Sequence, residues 1–354
     1  MQLSEIIVHK IQDNGSISFH DFMEMALYYP QLGYYTSNGN PIGVKGDYYT
    51  SPQLTPLFGV LIGKQLEEMW EVMGKGKFTV VEYGAGTGKL CRDIMDYLKT
   101  NAEFYENLNY CIIEKNLERK ENENCRLPEK VSWHDSIADI TEIRGCILSN
   151  ELVDNFPVHQ VVMGEELMEV FIGYDKNFIE LLKPASAALK DYFEELNIIL
   201  PKDYRTEINL QATRWITEIA RALKKGYVIT IDYGYTSAQL YREQKRLGTL
   251  MCYNKHTTNE NLYTNIGSQD ITSHVNFSAL CHWGFKNGLK CVSLTSQADF
   301  LMQLGFKECL REMTMTNKNI IDAVKEEAFL TYTLLLDMGT KFKVLIQEKG
   351  MTDN

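Results

Sequence analysis

The sequence predicts an α/β fold built on a doubly wound, mostly parallel sheet, and three observations carry that prediction. The first is Val80-Val81-Glu82-Tyr83-Gly84-Ala85-Gly86-Thr87-Gly88, where an apolar run passes through an acidic residue into three alternate glycines. An amphipathic run follows at once, which is the pattern of a buried parallel strand turning sharply into a helix. The second is the alternation of strand and helix patterns that continues to Leu148. The third is composition: 354 residues with 44% hydrophobic and 23% charged content suit a globular chain of one large domain with insertions, or of two.

Residues 1–76 read as an N-terminal helical cap. Ser18 precedes a helical segment with Phe19, Phe22, Met23, Ala26 and Leu27 that stops before Pro30. A polar, aromatic loop runs from Gly33 to Pro52 and includes Asp47, Tyr48 and Thr50. Loops of that length are functional or disordered, and the aromatics argue for function. A second helix carries Phe58, Leu61, Ile62, Leu66, Met69 and Trp70 before Gly74-Lys75-Gly76.

Residues 77–354 read as the larger, ligand-binding domain. Strands are predicted at Phe78–Tyr83, Tyr110–Ile113, Val131–Trp133, Cys146–Leu148 and Tyr227–Ile231, and the helix after the first buries Leu90, Cys91, Ile94, Met95 and Leu98. The charged stretch Lys115–Lys130 reads as a solvated helix and turn. An insertion at about 157–225 begins with short antiparallel strands and ends in the helix Gln211–Leu223, with Gly226 as its stop. A substrate-side region follows at about 236–290. The tail adds helices near 276–287, 297–304 and 317–336 and strands at Lys290–Leu294 and Phe342–Gln347.

Charge and cysteine usage narrow the class of protein. Lys+Arg 36 against Asp+Glu 47 gives −11, which argues against a nucleic-acid or anionic-membrane binder and favours a basic protein segment or a cationic cofactor. The eight cysteines are scattered without a C-x-x-C pair, so reduced thiols are expected and structural metal is not. Met1 to Pro30 has neither signal-peptide nor transit-peptide character, and no apolar run could span a bilayer. A cytoplasmic protein without membrane insertion is expected.

Spacing then selects the cofactor. A dinucleotide fingerprint reads G-x-G-x-x-G and places a helix N-terminus under a pyrophosphate. Here Glu82, Gly84, Gly86 and Gly88 form E-x-G-x-G-x-G, which resembles the first motif of class I methyltransferases that use S-adenosyl-L-methionine. A tight βα turn without ligand is the alternative. Glu114 ends the second strand, where a carboxylate can accept from both ribose hydroxyls. Asp135 and Ser136 follow the third strand and read as adenine contacts or as a capped turn. Beyond the fourth strand, Asn150 completes the cofactor set, and Glu151 and Asp154 supply two carboxylates for gripping or deprotonating a cationic acceptor. The alternative there is a helix cap and a structural ion pair. Asp232 after the fifth strand and His256 in the long C-terminal connection are further substrate-side candidates. His274 lacks metal-ligand spacing.

Several segments in one order resemble the MidA-like methyltransferases. They are Ala26–Pro30 with Gly33-Tyr34-Tyr35, Gly46–Pro52, Phe58-Gly59, Glu82–Gly88, Asn150–His159, Ile231–Tyr235, Gly248-Thr249-Leu250 with Tyr253 and His256, and Asp270–Val275. This chain has Gly84-Ala85-Gly86 where the family more often has G-P-G, and Leu152 where an aromatic is commoner. The resemblance implies the Rossmann-like class I sheet, S-adenosyl-L-methionine as cofactor and a protein substrate. Mitochondrial members of that family are complex I assembly factors that dimethylate an arginine. The expectation is therefore protein arginine methylation, with a small-molecule acceptor or a cofactor-binding scaffold of little turnover as alternatives. The Glu151/Asp154 spacing differs from the two glutamates on one hairpin of a familiar arginine-methylating arrangement.

Overall fold

Apolar residues on both faces of a strand require layers on both sides, and the central strands here have that character. The computed structural model describes residues 2–37, 50–114, 127–254, 257–315 and 319–351. They form two compact units, one of residues 49–152, 217–233 and 283–354, the other of residues 1–48, 153–216 and 234–282.

The sheet of the first unit contains β1 (Phe78–Tyr83), β2 (Leu108–Ile113), β3 (Val131–His134), β4 (Ile143–Asn150), β5 (Leu223–Tyr235), β6 (Lys290–Ser296) and β7 (Phe342–Lys349). Their order is β6-β7-β5-β4-β1-β2-β3. The five strands from β5 to β3 are mutually parallel, and β7 is antiparallel to both its neighbours. The chain steps outward from β1 to β3, then returns to the opposite side of β1 as β4. That reversal opens a crevice at the carboxyl ends of β1 and β4, where α/β sheets hold their ligands. Val80, Val81, Ile112 and Ile147 are fully buried within this sheet.

Helices Pro56–Val72 and Lys89–Leu98 bury Phe58, Leu61, Ile62, Leu66, Ile94, Met95 and Leu98 in one cluster with Val80, Tyr110, Ile112 and Leu148. The sequence assigns Pro56–Val72 to the cap, but its apolar stripe belongs to the sheet's own core. The helix before β5 also ends differently from expectation. It stops at Ala222 and the chain enters β5 at Leu223, so Gly226 is a strand residue and not a helix stop. There it lies opposite Gly145 of β4 with φ +131°, and an added Cβ would stand 2.0 Å from the Gly145 carbonyl oxygen. Close approach of two backbones demands this glycine.

The second unit is antiparallel. One sheet runs Ile17–Ser18, Leu167–Asp175, His159–Met163, Arg205–Ile208, with Asn177–Pro184 added on Leu167–Asp175. A smaller one joins Thr257–Asn259, Met251–Asn254 and Asp270–Thr272. Helices Leu3–Asn14 and Phe19–Tyr28 pack Ile7, Ile11, Phe19, Phe22 and Met23 with Val170, Ile172 and Ile271. Ser18 caps the second helix by accepting the Asp21 N–H at 3.0 Å. Helix Ala187–Glu195 and strand Arg205–Ile208 go beyond the sequence prediction. Among the described residues no helix is long and apolar enough to cross a membrane.

Candidate active site

The strand–turn–helix read from the sequence is present at the carboxyl end of β1. Gly84, Gly86 and Gly88 have φ of +65°, +57° and +66°, a left-handed backbone that side chains with a Cβ adopt at a cost. The Gly84 N–H donates to the Ile113 carbonyl at 3.0 Å, tying the turn to β2. The Gln53 amide donates to Thr87 Oγ at 2.6 Å, a support the sequence did not reveal because the partners lie far apart in the chain. Thr50, at the N-cap of the short helix Ser51–Leu54, is buried in this same unit.

Glu82 faces inward and is only 3% exposed. Burial raises its carboxyl from 4.5 to about 7, a hydrogen bond from Tyr110 works against that rise, and the Glu114 charge adds to it. Tyr110 Oη donates to Glu82 at 2.6 Å. Because the folded-state value is raised, the stability that Glu82 contributes is full below about pH 4.5 and lost as pH rises through about 7. Glu82→Gln stays neutral and still accepts from Tyr110, so it should escape that loss. The denaturation midpoint of the wild type should fall more steeply across this window, by on the order of 3 kcal/mol in stability. Parallel pH profiles for the two proteins would contradict this reading.

The neighbouring strand ends set the other candidates along the same edge. Glu114 directly follows Ile113, the register partner of Tyr83, and is partly exposed. Asp135 and Ser136 are exposed past β3, and the Ser136 hydroxyl accepts the Ala138 N–H at 3.2 Å, capping the turn Ile137–Asp139. On the other side of β1, β4 runs on to Asn150. Glu151 then takes φ +52°, unusual for a residue with a side chain.

Two hydrogen bonds hold that strained turn, and a third orients the carboxylate that takes part in one of them. The Glu151 N–H donates to the Ile231 carbonyl at 2.9 Å, and the Leu152 N–H to Asp232 Oδ2 at 3.2 Å. The other Asp232 oxygen accepts the Tyr233 N–H at 2.9 Å. Asp232 is fully buried, so the structure gives this substrate-side candidate an anchoring position. Leu152 reaches back over the glycine turn, its Cδ1 standing 2.9 Å from where a Cβ on Gly84 would be. Asn150 Nδ2 donates to Glu151 Oε1 at 3.1 Å, while its buried Oδ1 has no hydrogen-bond partner among the described residues.

Glu151 and Asp154 fall in different units. Asp154 lies buried in the 3₁₀ turn Val153–Asn155, and its carbonyl accepts the Ser273 N–H at 2.9 Å. Tyr28 Oη donates to Asn155 Oδ1 at 2.7 Å within that unit. Burial pushes His274 down to about 4, leaving it a neutral packed residue at physiological pH. Asp47, Tyr48 and His256 lie outside the described residues. Among the described residues no group of His, Cys, Asp and Glu could hold a metal ion.

The model of a family described as "Putative S-adenosyl-L-methionine-dependent methyltransferase" matches residues 61–295, more than half of the chain. The chain belongs to this MidA-like family. Its sequence is 26% identical to the mitochondrial protein arginine methyltransferase NDUFAF7 homolog of Drosophila melanogaster, over 97% of this chain and 84% of that one. Against the mitochondrial protein arginine methyltransferase NDUFAF7 of Homo sapiens it is 24% identical, over 95% and 81%. A Burkholderia thailandensis protein described as a "likely methyl transferase" and solved with S-adenosyl-homocysteine superposes with a TM-score of 0.87 at 28% identity, covering 99% of this chain and 92% of that one. The fold is that of the class I methyltransferases, and the family's cofactor is S-adenosyl-L-methionine.

The residues present fit that cofactor. Three left-handed glycines leave the turn bare, and Asn150 Oδ1 is a buried acceptor suited to an ammonium group. Glu114 is partly exposed at the end of β2, where ribose hydroxyls would find an acceptor.

Proposed function

We propose that this methyltransferase modifies a nitrogen of a protein substrate, with arginine as the acceptor. The observation that carries the reading is Glu151, an acidic residue at φ +52° beside the cofactor turn, whose own N–H is held by the Ile231 carbonyl and whose neighbour Leu152 is held by the Asp232 carboxylate. Such strain is kept where it serves a site. The names of the Drosophila and human relatives support arginine as the target.

When bound, S-adenosyl-L-methionine supplies a methyl group on a sulfonium leaving group. Gly84, Gly86 and Gly88 would admit its methionine part, Asn150 would accept from the ammonium, and Glu114 would hold the ribose. Asp135 and Ser136 would stand at the adenine. Glu151 would orient a guanidinium, whose planar fork of donors matches carboxylate oxygens, and would hold the acceptor's charge and proton. Asp154 is proposed from the sequence motif alone as the second carboxylate. With a good leaving group already in place, positioning and exclusion of water are what remain for the protein to provide.

The purified protein should be incubated with S-adenosyl-L-methionine labelled in the methyl group and an extract of its own organism. Label recovered as methylarginine in a protein is the expected result. Label in a small molecule, or none despite cofactor binding, would overturn the proposal.

A further inference from the structure

Helix Ile320–Thr331, in the sheet's unit, continues through the π-helical segment Tyr332–Asp337. Leu330 and Leu334 are buried in that unit's core. The opposite side carries Ile320, Ile321, Val324, Phe329, Tyr332 and Leu336, which are between 54% and 81% exposed. A surface helix ordinarily turns polar residues outward. Side chains of this size present about 100 Å² each when half exposed. Together they approach the roughly 800 Å² that each partner buries in a standard interface, more than a monomer usually leaves uncovered.

The pattern is self-complementary about Ala328, which is itself exposed. Val324 and Tyr332 stand four residues to either side, and Ile320 and Leu336 eight to either side. Ile320, Val324, Ala328 and Tyr332 form one ridge at i±4 spacing, the ridge that packs helix against helix, and Leu336 follows in the π-helical segment. In an antiparallel contact with a second copy, Val324 meets Tyr332, Ile320 meets Leu336, and the small Ala328 lies on the two-fold axis. Lys325 falls opposite Thr331, so the contact brings no like charges together. We propose that the protein is a two-fold homodimer joined through this helix, the occupant of the apolar face being a second copy of the chain.

Light scattering of the full chain at micromolar concentration should give twice the 40.7 kDa chain mass. Ala328→Arg sets two guanidinium groups against each other on the axis and should yield a monomer with unchanged circular dichroism. Ala328→Cys should form a covalent dimer under mild oxidation in clear excess over the wild type, whose own cysteines set the background. A monomeric wild type, or a dimer that survives Ala328→Arg and resists cross-linking through Ala328→Cys, would overturn the proposal. A monomeric chain that loses binding of its protein substrate on Ala328→Arg would assign the face to substrate and likewise overturn it.

Discussion

Gly86→Val should weaken binding of S-adenosyl-L-methionine by on the order of a hundredfold, about 2.7 kcal/mol, while the sheet still folds. Gly86 sits at φ +57°, where a β-branched residue is strained, and the turn can relieve that strain only by leaving the shape that admits the cofactor. The core beneath it, built on Val80, Tyr110 and Ile112, does not depend on that side chain position. Calorimetric titration of a variant with native circular dichroism measures the effect. Unchanged affinity in a folded Gly86→Val protein would remove this turn from the cofactor site.

Loss of charge at Glu151 should separate catalysis from binding. Glu151→Gln keeps the size and a hydrogen-bonding oxygen but loses the charge that pairs with a guanidinium. Its backbone bond to the Ile231 carbonyl, and that of Leu152 to the Asp232 carboxylate, are untouched by the substitution. Methyl transfer should therefore fall by roughly two orders of magnitude or more, with cofactor affinity close to wild type. Glu114→Gln should show the opposite division and weaken the cofactor first, by roughly tenfold or more, the scale of a hydrogen bond to a charged group. Full transfer by Glu151→Gln would make Glu151 a structural residue.

Much of the geometry of this candidate site was legible because its signals are local. An apolar run before alternate glycines announces β1 and its turn, and Glu114 is placed by the strand it ends. Asp232 was legible only as an acidic residue after a strand. Its role at Leu152 is a contact across eighty positions of sequence, which no spacing rule reports. Gly226 misled for a related reason. After an amphipathic helix a glycine reads as a stop, yet here the backbone of Gly145 decides its place. Helix Phe306–Thr314 buries Phe306, Cys309, Leu310 and Thr314, and its charged exposed face hid that stripe in the sequence. The two compact units draw on separated stretches of chain, so a division at residue 76 could not anticipate them.

The measurement closest to the central claim is a crystal structure of this chain with S-adenosyl-homocysteine. The account predicts the methionine part over Gly84 to Gly88, its ammonium within reach of Asn150 Oδ1, and both ribose hydroxyls about 2.5–3.0 Å from the Glu114 carboxylate. Glu151 should face the sulfur end without touching the ribose. Product bound elsewhere, or bound with Glu114 turned to solvent and Glu151 on the ribose, would contradict it.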